Sequence, residues 1–151
     1  MSARKNPKVE SITTDIAIVG GGSGLPAAVA AAEMGAKVTI VEKRDTLGGN
    51  SMVSGAFFAC ESPAQKRLGI DAPADHFFKY SMEWAHWKAN PRLVRAFINK
   101  TGDTVRWLEE KGLMFEQVTA SAGLGRIRCS HRPASGVPGG AIMRLLMKEA
   151  E

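Results

Sequence analysis

The segment from Asp15 to Ser51 admits few folds, because apolar runs, glycines and alanines follow one another there in a single informative order. Ile16 to Val19 is a short apolar run suited to a buried parallel strand, with Asp15 at its entrance. Gly20, Gly21, Gly22 and Gly24 come next, broken only by Ser23, and remove the side chains that would keep a ligand away from backbone N–H groups. Pro26 suits the first turn of a helix, where its missing N–H costs nothing. Ala27, Ala28, Ala30, Ala31 and Ala32 let that helix lie close against a sheet, and Gly35 ends it. Lys37 to Val41 reads as a second strand, with Glu42 at its carboxyl end, twenty-two residues after Gly20.

Strand, glycine turn, helix, strand and terminal acid build a nucleotide cradle. A diphosphate would sit at the helix N-terminus, and the acid would accept hydrogen bonds from the two ribose hydroxyls of an adenosine. A glycine turn alone is a weak signal, but Gly48–Gly49 follows the acid by six residues and adds a second turn. Glu42 argues against NADP, whose 2′-phosphate would meet a carboxylate, and Lys43–Arg44 reads as a solvated pair. The rival reading of this region as a secretory signal fails on Glu10, Asp15 and the glycines and proline inside the apolar run.

The first turn does not separate NAD from FAD, since both carry an ADP half; the second turn decides for FAD. Asp15, Gly20, Gly22, Gly24, Glu33, Gly35, Glu42, Lys43, Gly48, Gly49, Asn50, Ser51 and Gly55 together resemble the FAD-dependent oxidoreductases of the fumarate reductase and succinate dehydrogenase flavoprotein group, which also includes aspartate oxidase and ketosteroid dehydrogenases. Ser130-His131-Arg132-Pro133, followed by Gly139–Gly140, resembles the soluble fumarate reductase branch. The resemblance implies an α/β fold: a Rossmann-like FAD-binding domain with an incomplete parallel sheet and a helical insertion. It implies cofactor-binding roles for Gly20, Gly22, Ser23, Gly24, Glu42, Lys43, Gly48, Gly49, Asn50, Ser51 and Gly55. FAD is expected to be non-covalent, because Asn50–Ser51 stands where respiratory members carry a linking histidine. One departure is plain: Gly20 to Gly24 reads G-x-G-x-G, one residue shorter than the family's G-x-G-x-x-G. Such a loss would pull the helix N-terminus by up to ~3.5 Å.

A chain of 151 residues, 44% hydrophobic, can bury a core as one domain. The expected organisation is a flexible leader over 1–13, then the N-terminal part of a FAD-binding domain over 14–151 with a helical segment about 74–112. Ala141 to Glu151 reads as an amphipathic helix with Ile142, Leu145 and Leu146 on one face and no stop signal, so the chain is expected to be a truncated front piece with that face exposed. The net charge of +5 comes without the basic, aromatic-laced face of a nucleic-acid binder. No stretch of about 18 apolar residues could span a membrane, and the expected compartment is the cytoplasm. Cys60 and Cys129 lack metal or redox spacing and read as buried thiols.

Further along, Gly55 to Cys60 reads as an apolar strand or turn under the flavin, and Pro63 to Leu68 as a short helix. Asp75 to Lys88 reads as a helix whose Phe77, Phe78, Trp84 and Trp87 pack into a core. Asn90-Pro91 starts a helix to Asn99, and Thr101 to Lys111 makes another. His76 and His86 lack metal-ligand partners, and Glu109–Glu110 reads as a solvated face. Gly123 to Gly140 reads as an irregular loop carrying Arg126, Arg128, His131 and Arg132, which an anion could use, with His131 or Arg132 facing the flavin or substrate cavity.

The implied chemistry is hydride transfer at a carbon beside a carboxylate or ketone, with a small-molecule substrate such as a dicarboxylate; no catalytic residue and no metal site is assigned. The alternatives are a ketosteroid-type desaturase of the same family and a non-catalytic FAD-binding fragment.

Overall fold

The structure, a computed structural model, describes residues 11–121 and 126–150. Most of the expected leader, the Gly123–Gly125 start of the basic loop, and Glu151 lie outside the described residues. Strand β1 (Ile16–Val19) pairs in parallel with β2 (Val38–Val41), Ile16 opposite Val38, and helix α1 (Gly24–Glu33) connects them. Asp15 anchors the start of the pair, its Oδ2 accepting the Lys37 amide at 2.8 Å. Gly35 closes α1 with φ +88°, a conformation that only glycine adopts without strain.

These two strands are not buried as their sequence suggests: Val19 is 89% exposed and Val41 59%. Among the described residues this sheet has two strands, so each keeps an open edge. The core lies instead where the inner face of α1, through Leu25 and Val29, meets Val105, Leu108, Ile142 and Leu146. Thus Ile142 and Leu146 are buried and Leu145 packs against the same cluster, contrary to the expected exposed face, because α5 (Pro138–Glu149) docks on α1.

A second sheet, antiparallel and not foreseen, has the order β3–β5–β4, from Phe57–Phe58, Arg128–Pro133 and Phe115–Ala120. The basic segment read as an irregular loop is therefore strand β5 from Arg128 onward. Its polar centre is tolerated because the buried His131 bonds to Ser62 and the Cys129 carbonyl, and among the described residues no buried side-chain nitrogen or oxygen lacks a partner.

The helical segment also differs from expectation. Helix α4 runs unbroken from Pro91 to Glu110. Thr101 and Gly102 do not restart a helix; they let it touch β3's continuation. The Thr101 hydroxyl accepts the Cys60 amide at 3.2 Å, and a Cβ at Gly102 would come within 2.8 Å of the Cys60 carbonyl. Asn90 caps α4 as read, its Oδ1 accepting the Arg92 amide at 3.0 Å. Helix α2 (Pro63–Arg67) carries a capping box between Ser62 and Gln65. Helix α3 (Ala74–Trp84) stops short of Lys88, since His86 and Trp87 take positive φ. Phe77 is buried as expected and Phe78 packs beside it, but Trp84 and Trp87 are 70% and 61% exposed, on the face of the turn that no described element covers. Glu109, read as solvated, packs its side chain in a bidentate pair with Arg67. Cys60 and Cys129 are free and buried, and burial pushes both thiols up.

Candidate functional site

The two glycine turns meet. The Gly48 amide donates to the Gly21 carbonyl at 2.9 Å, and the Gly20 amide donates to Val41 O at 2.8 Å, extending the β1–β2 pairing into the first turn. Gly20 and Gly48 have φ of +92° and +101°, which explains both glycines directly. A Cβ on Gly22 would lie 3.5 Å from the Gly48 carbonyl and 3.7 Å from the Ser51 hydroxyl, and one on Gly49 would lie 4.0 Å from Gly22 Cα. The two turns therefore lie side by side, with glycine on both facing sides.

Ser23 stands at the N-cap of α1 with a helical backbone and a side chain that makes no capping bond. Among the hydrogen bonds made by the described residues, none is donated by the amides of Gly22, Ser23 or Gly24, so this helix start keeps donors for a ligand. Gly24 is required for packing as well: a Cβ there would stand 2.5 Å from Ile18 Cγ2.

Glu42 turns toward the first glycine turn. Its Oε2 accepts the Gly21 amide at 2.7 Å, and its Oε1 accepts those of Lys43 at 2.8 Å and Arg44 at 3.0 Å. The Gly21 amide, with those of Arg44 and Lys43, holds the Glu42 carboxyl below its usual range. Lys43 itself is exposed. Gly49, Asn50 and Ser51 open a 3-10 turn (Gly49–Val53), followed by Gly55, where an added Cβ would meet nothing within 4 Å.

Gly21, read from the sequence only as one of the turn glycines, and Gly139, given no binding role there, both have a part in this geometry. Gly21 both donates to Glu42 and accepts from Gly48, and a Cβ on it would overlap Leu47. Gly139, at the start of α5, donates to Ser54 O at 3.0 Å, and a Cβ on it would overlap the Ser51 carbonyl. The Gly139–Gly140 pair is the signal that could have found it. Beside these turns lies an apolar cavity of about 220 Å³, walled in part by Pro26, Ser51, Ser54, Phe57, Gly139 and Ile142. Of the basic segment, His131 is 0% exposed and faces the interior, not a cavity, because its ring is held by Ser62 and Cys129; Arg128 and Arg132 are exposed on β5. Among the described residues no cluster of ligating side chains could hold a metal.

Two glycine turns joined by hydrogen bonds, a helix start with unused amides and an acid at the end of the second strand define a dinucleotide-binding domain of the flavoprotein kind. The family described as FAD binding domain matches residues 15–151, and the chain belongs to it. FAD is its cofactor, and the unused amides at the start of α1 fit its phosphates. The chain is 37% identical over 124 residues to an NADH:fumarate oxidoreductase of Klebsiella pneumoniae, covering 81% of this chain and 13% of that protein. It is 35% identical over 107 residues to a vinyl phenol reductase of Lactiplantibacillus plantarum, covering 70% and 22%. The open conformation of a flavocytochrome c3 fumarate reductase superposes with a TM-score of 0.84 at 32% identity, over 91% of this chain and 25% of that one. The chain thus spans a quarter or less of these relatives' lengths. Among the described residues no helix is long and apolar enough to cross a membrane.

Proposed function

We propose that FAD lies along the two glycine turns, with its pyrophosphate against the amides of Gly22, Ser23 and Gly24 and its adenosine ribose beside Glu42 and Lys43. The segment Gly48 to Ser51 then runs past the pyrophosphate toward the flavin, with Gly20 shaping the turn and Gly55 keeping the flavin side open. The observation that carries this reading is the Gly48–Gly21 hydrogen bond, which sets the two glycine turns side by side at the start of α1.

FAD supplies hydride exchange at its flavin ring when bound. The residues of this chain bind and orient it: helix-start amides meet the phosphate charge, and Glu42 stiffens the turn that presents them. As part of an oxidoreductase, the domain serves hydride transfer at a carbon beside a carboxylate or ketone, and a dicarboxylate such as fumarate is the leading substrate. The names of the relatives that reduce fumarate support this choice. The test is FAD titration of the chain, followed by fumarate reduction with a reduced artificial dye in a protein that carries this domain with its flanking sequence. Retained FAD with no fumarate turnover would move the substrate to a ketone-bearing ring, the ketosteroid-type alternative. Absence of FAD binding would overturn the site.

A further inference from the structure

His131 and Ser62 form a buried pair outside the glycine turns. Both are 0% exposed, and Ser62 Oγ lies 2.7 Å from His131 Nε2. The Cys129 carbonyl, 3.0 Å from Nδ1, can only accept, so the ring proton is assigned to Nδ1 and Nε2 must accept from the Ser62 hydroxyl. Ser62 Oγ in turn accepts the Gln65 amide at 3.1 Å, closing the start of α2. With the proton so placed, this chain of bonds runs in one direction and suits neutral imidazole.

The pair does not line the 220 Å³ cavity itself but reaches it through the backbone of β3 and β5. His131 is the β5 partner of Phe57 on β3, and Phe57 lines the cavity a few residues after the 3-10 turn. Beyond β5 the chain passes to Pro138 and Gly139, whose amide grips Ser54. We propose that His131 and Ser62 are a positioning pair that holds the second glycine turn and the start of α5 against each other, so that FAD held there is released as His131 takes up a proton. The proposal rests on the FAD site described above.

A proton on Nε2 would face the Ser62 oxygen, so the Ser62 hydroxyl could no longer donate to that nitrogen. The environment offers a cation little. From α4 comes the Glu109 carboxylate, already held by Arg67 of α2 and by the Phe115 amide; β4 brings the Phe115 ring edge-on at 5.8 Å, β3 the Phe57 backbone, and α2 the neutral Gln65. Burial lowers the affinity of His131 for a proton below that of a free imidazole, despite the Cys129 and Phe57 backbone bonds and Glu109. The pair's contribution is therefore present above the unfolded value of about 6.5 and is lost as pH falls below it through the folded value.

The experiment is FAD titration by flavin fluorescence at about pH 8 and pH 5 on wild type, His131→Gln and Ser62→Ala. Wild type is expected to lose affinity by about tenfold or more on acidification, and His131→Gln to keep a flat profile. Ser62→Ala removes the donor that favours neutral imidazole and should move the midpoint of the loss to higher pH. Equal slopes in wild type and His131→Gln, or an unmoved midpoint in Ser62→Ala, overturn the proposal. If no form binds FAD at pH 8, the cofactor site is wrong, and amide protection from Ser51 to Phe57 decides the positioning role. Protection lost at pH 5 in wild type and retained in His131→Gln supports it; protection unchanged in wild type overturns it.

Discussion

Glu42 closes the first glycine turn through Gly21, its Oε2 accepting that amide at 2.7 Å while Gly21's carbonyl receives the Gly48 amide at 2.9 Å. The acid at the end of β2 thus holds the residue through which the two turns are joined, in addition to any bond it makes with a ribose.

Replacing Glu42 with alanine should weaken FAD binding by about ten- to a hundredfold, since an ionised acceptor is lost from both the turn and the ribose site. Calorimetric titration of FAD into both proteins checks this, and equal affinity would remove Glu42 from the site. The backbone donors hold its carboxyl below the usual value of 4.5, so its stabilising bonds are present above that pH and fade as pH falls through the folded value.

The shortened turn can be probed by adding one glycine between Gly22 and Gly24. If the short turn leaves the α1 amides out of place, the insertion should tighten FAD binding; if the amides are already in place, it should weaken binding by displacing them. Flavin fluorescence reads either change. Identical affinity in both proteins would mean that this turn does not touch the pyrophosphate.

Gly139→Ala and Gly55→Ala separate packing from cofactor contact. At Gly139 the new methyl overlaps Ser51 O and falls 2.8 Å from Ser54 Cβ, so the protein should lose about 1–3 kcal/mol of stability, seen in a urea titration. At Gly55 the methyl meets nothing, and stability should stay within about 0.5 kcal/mol while FAD affinity falls. Unchanged affinity in Gly55→Ala would exclude that glycine from the flavin side.

The first half of the cradle was legible because its chemistry is local: Gly20, Pro26, Gly35 and the alanines state where backbone must turn, start and stop. What a sequence pattern does not carry is the partner. Spacing located Glu42 at the end of β2, but not the three amides that its oxygens accept. Helical spacing put Trp84 and Trp87 on an apolar face, yet nothing among the described residues covers it. Thr101–Gly102 read as a fresh helix because glycine usually breaks one, whereas here its missing side chain admits the Cys60 carbonyl. Strand β5 hid behind Arg, Ser and His, because the buried His131 finds its partner in Ser62, a residue far away in sequence.

The two-strand parallel ribbon has a thermodynamic consequence. A pair of strands is marginal in water, and here Val19 and Val41 at its end are mostly exposed. A ligand that grips the turn between those strands then acts as part of the fold itself, adding about 2.7 kcal/mol when free FAD stands at 100 times its dissociation constant. In limited proteolysis of residues 1–151, cutting is then expected first at β1 and β2, and added FAD is expected to slow it.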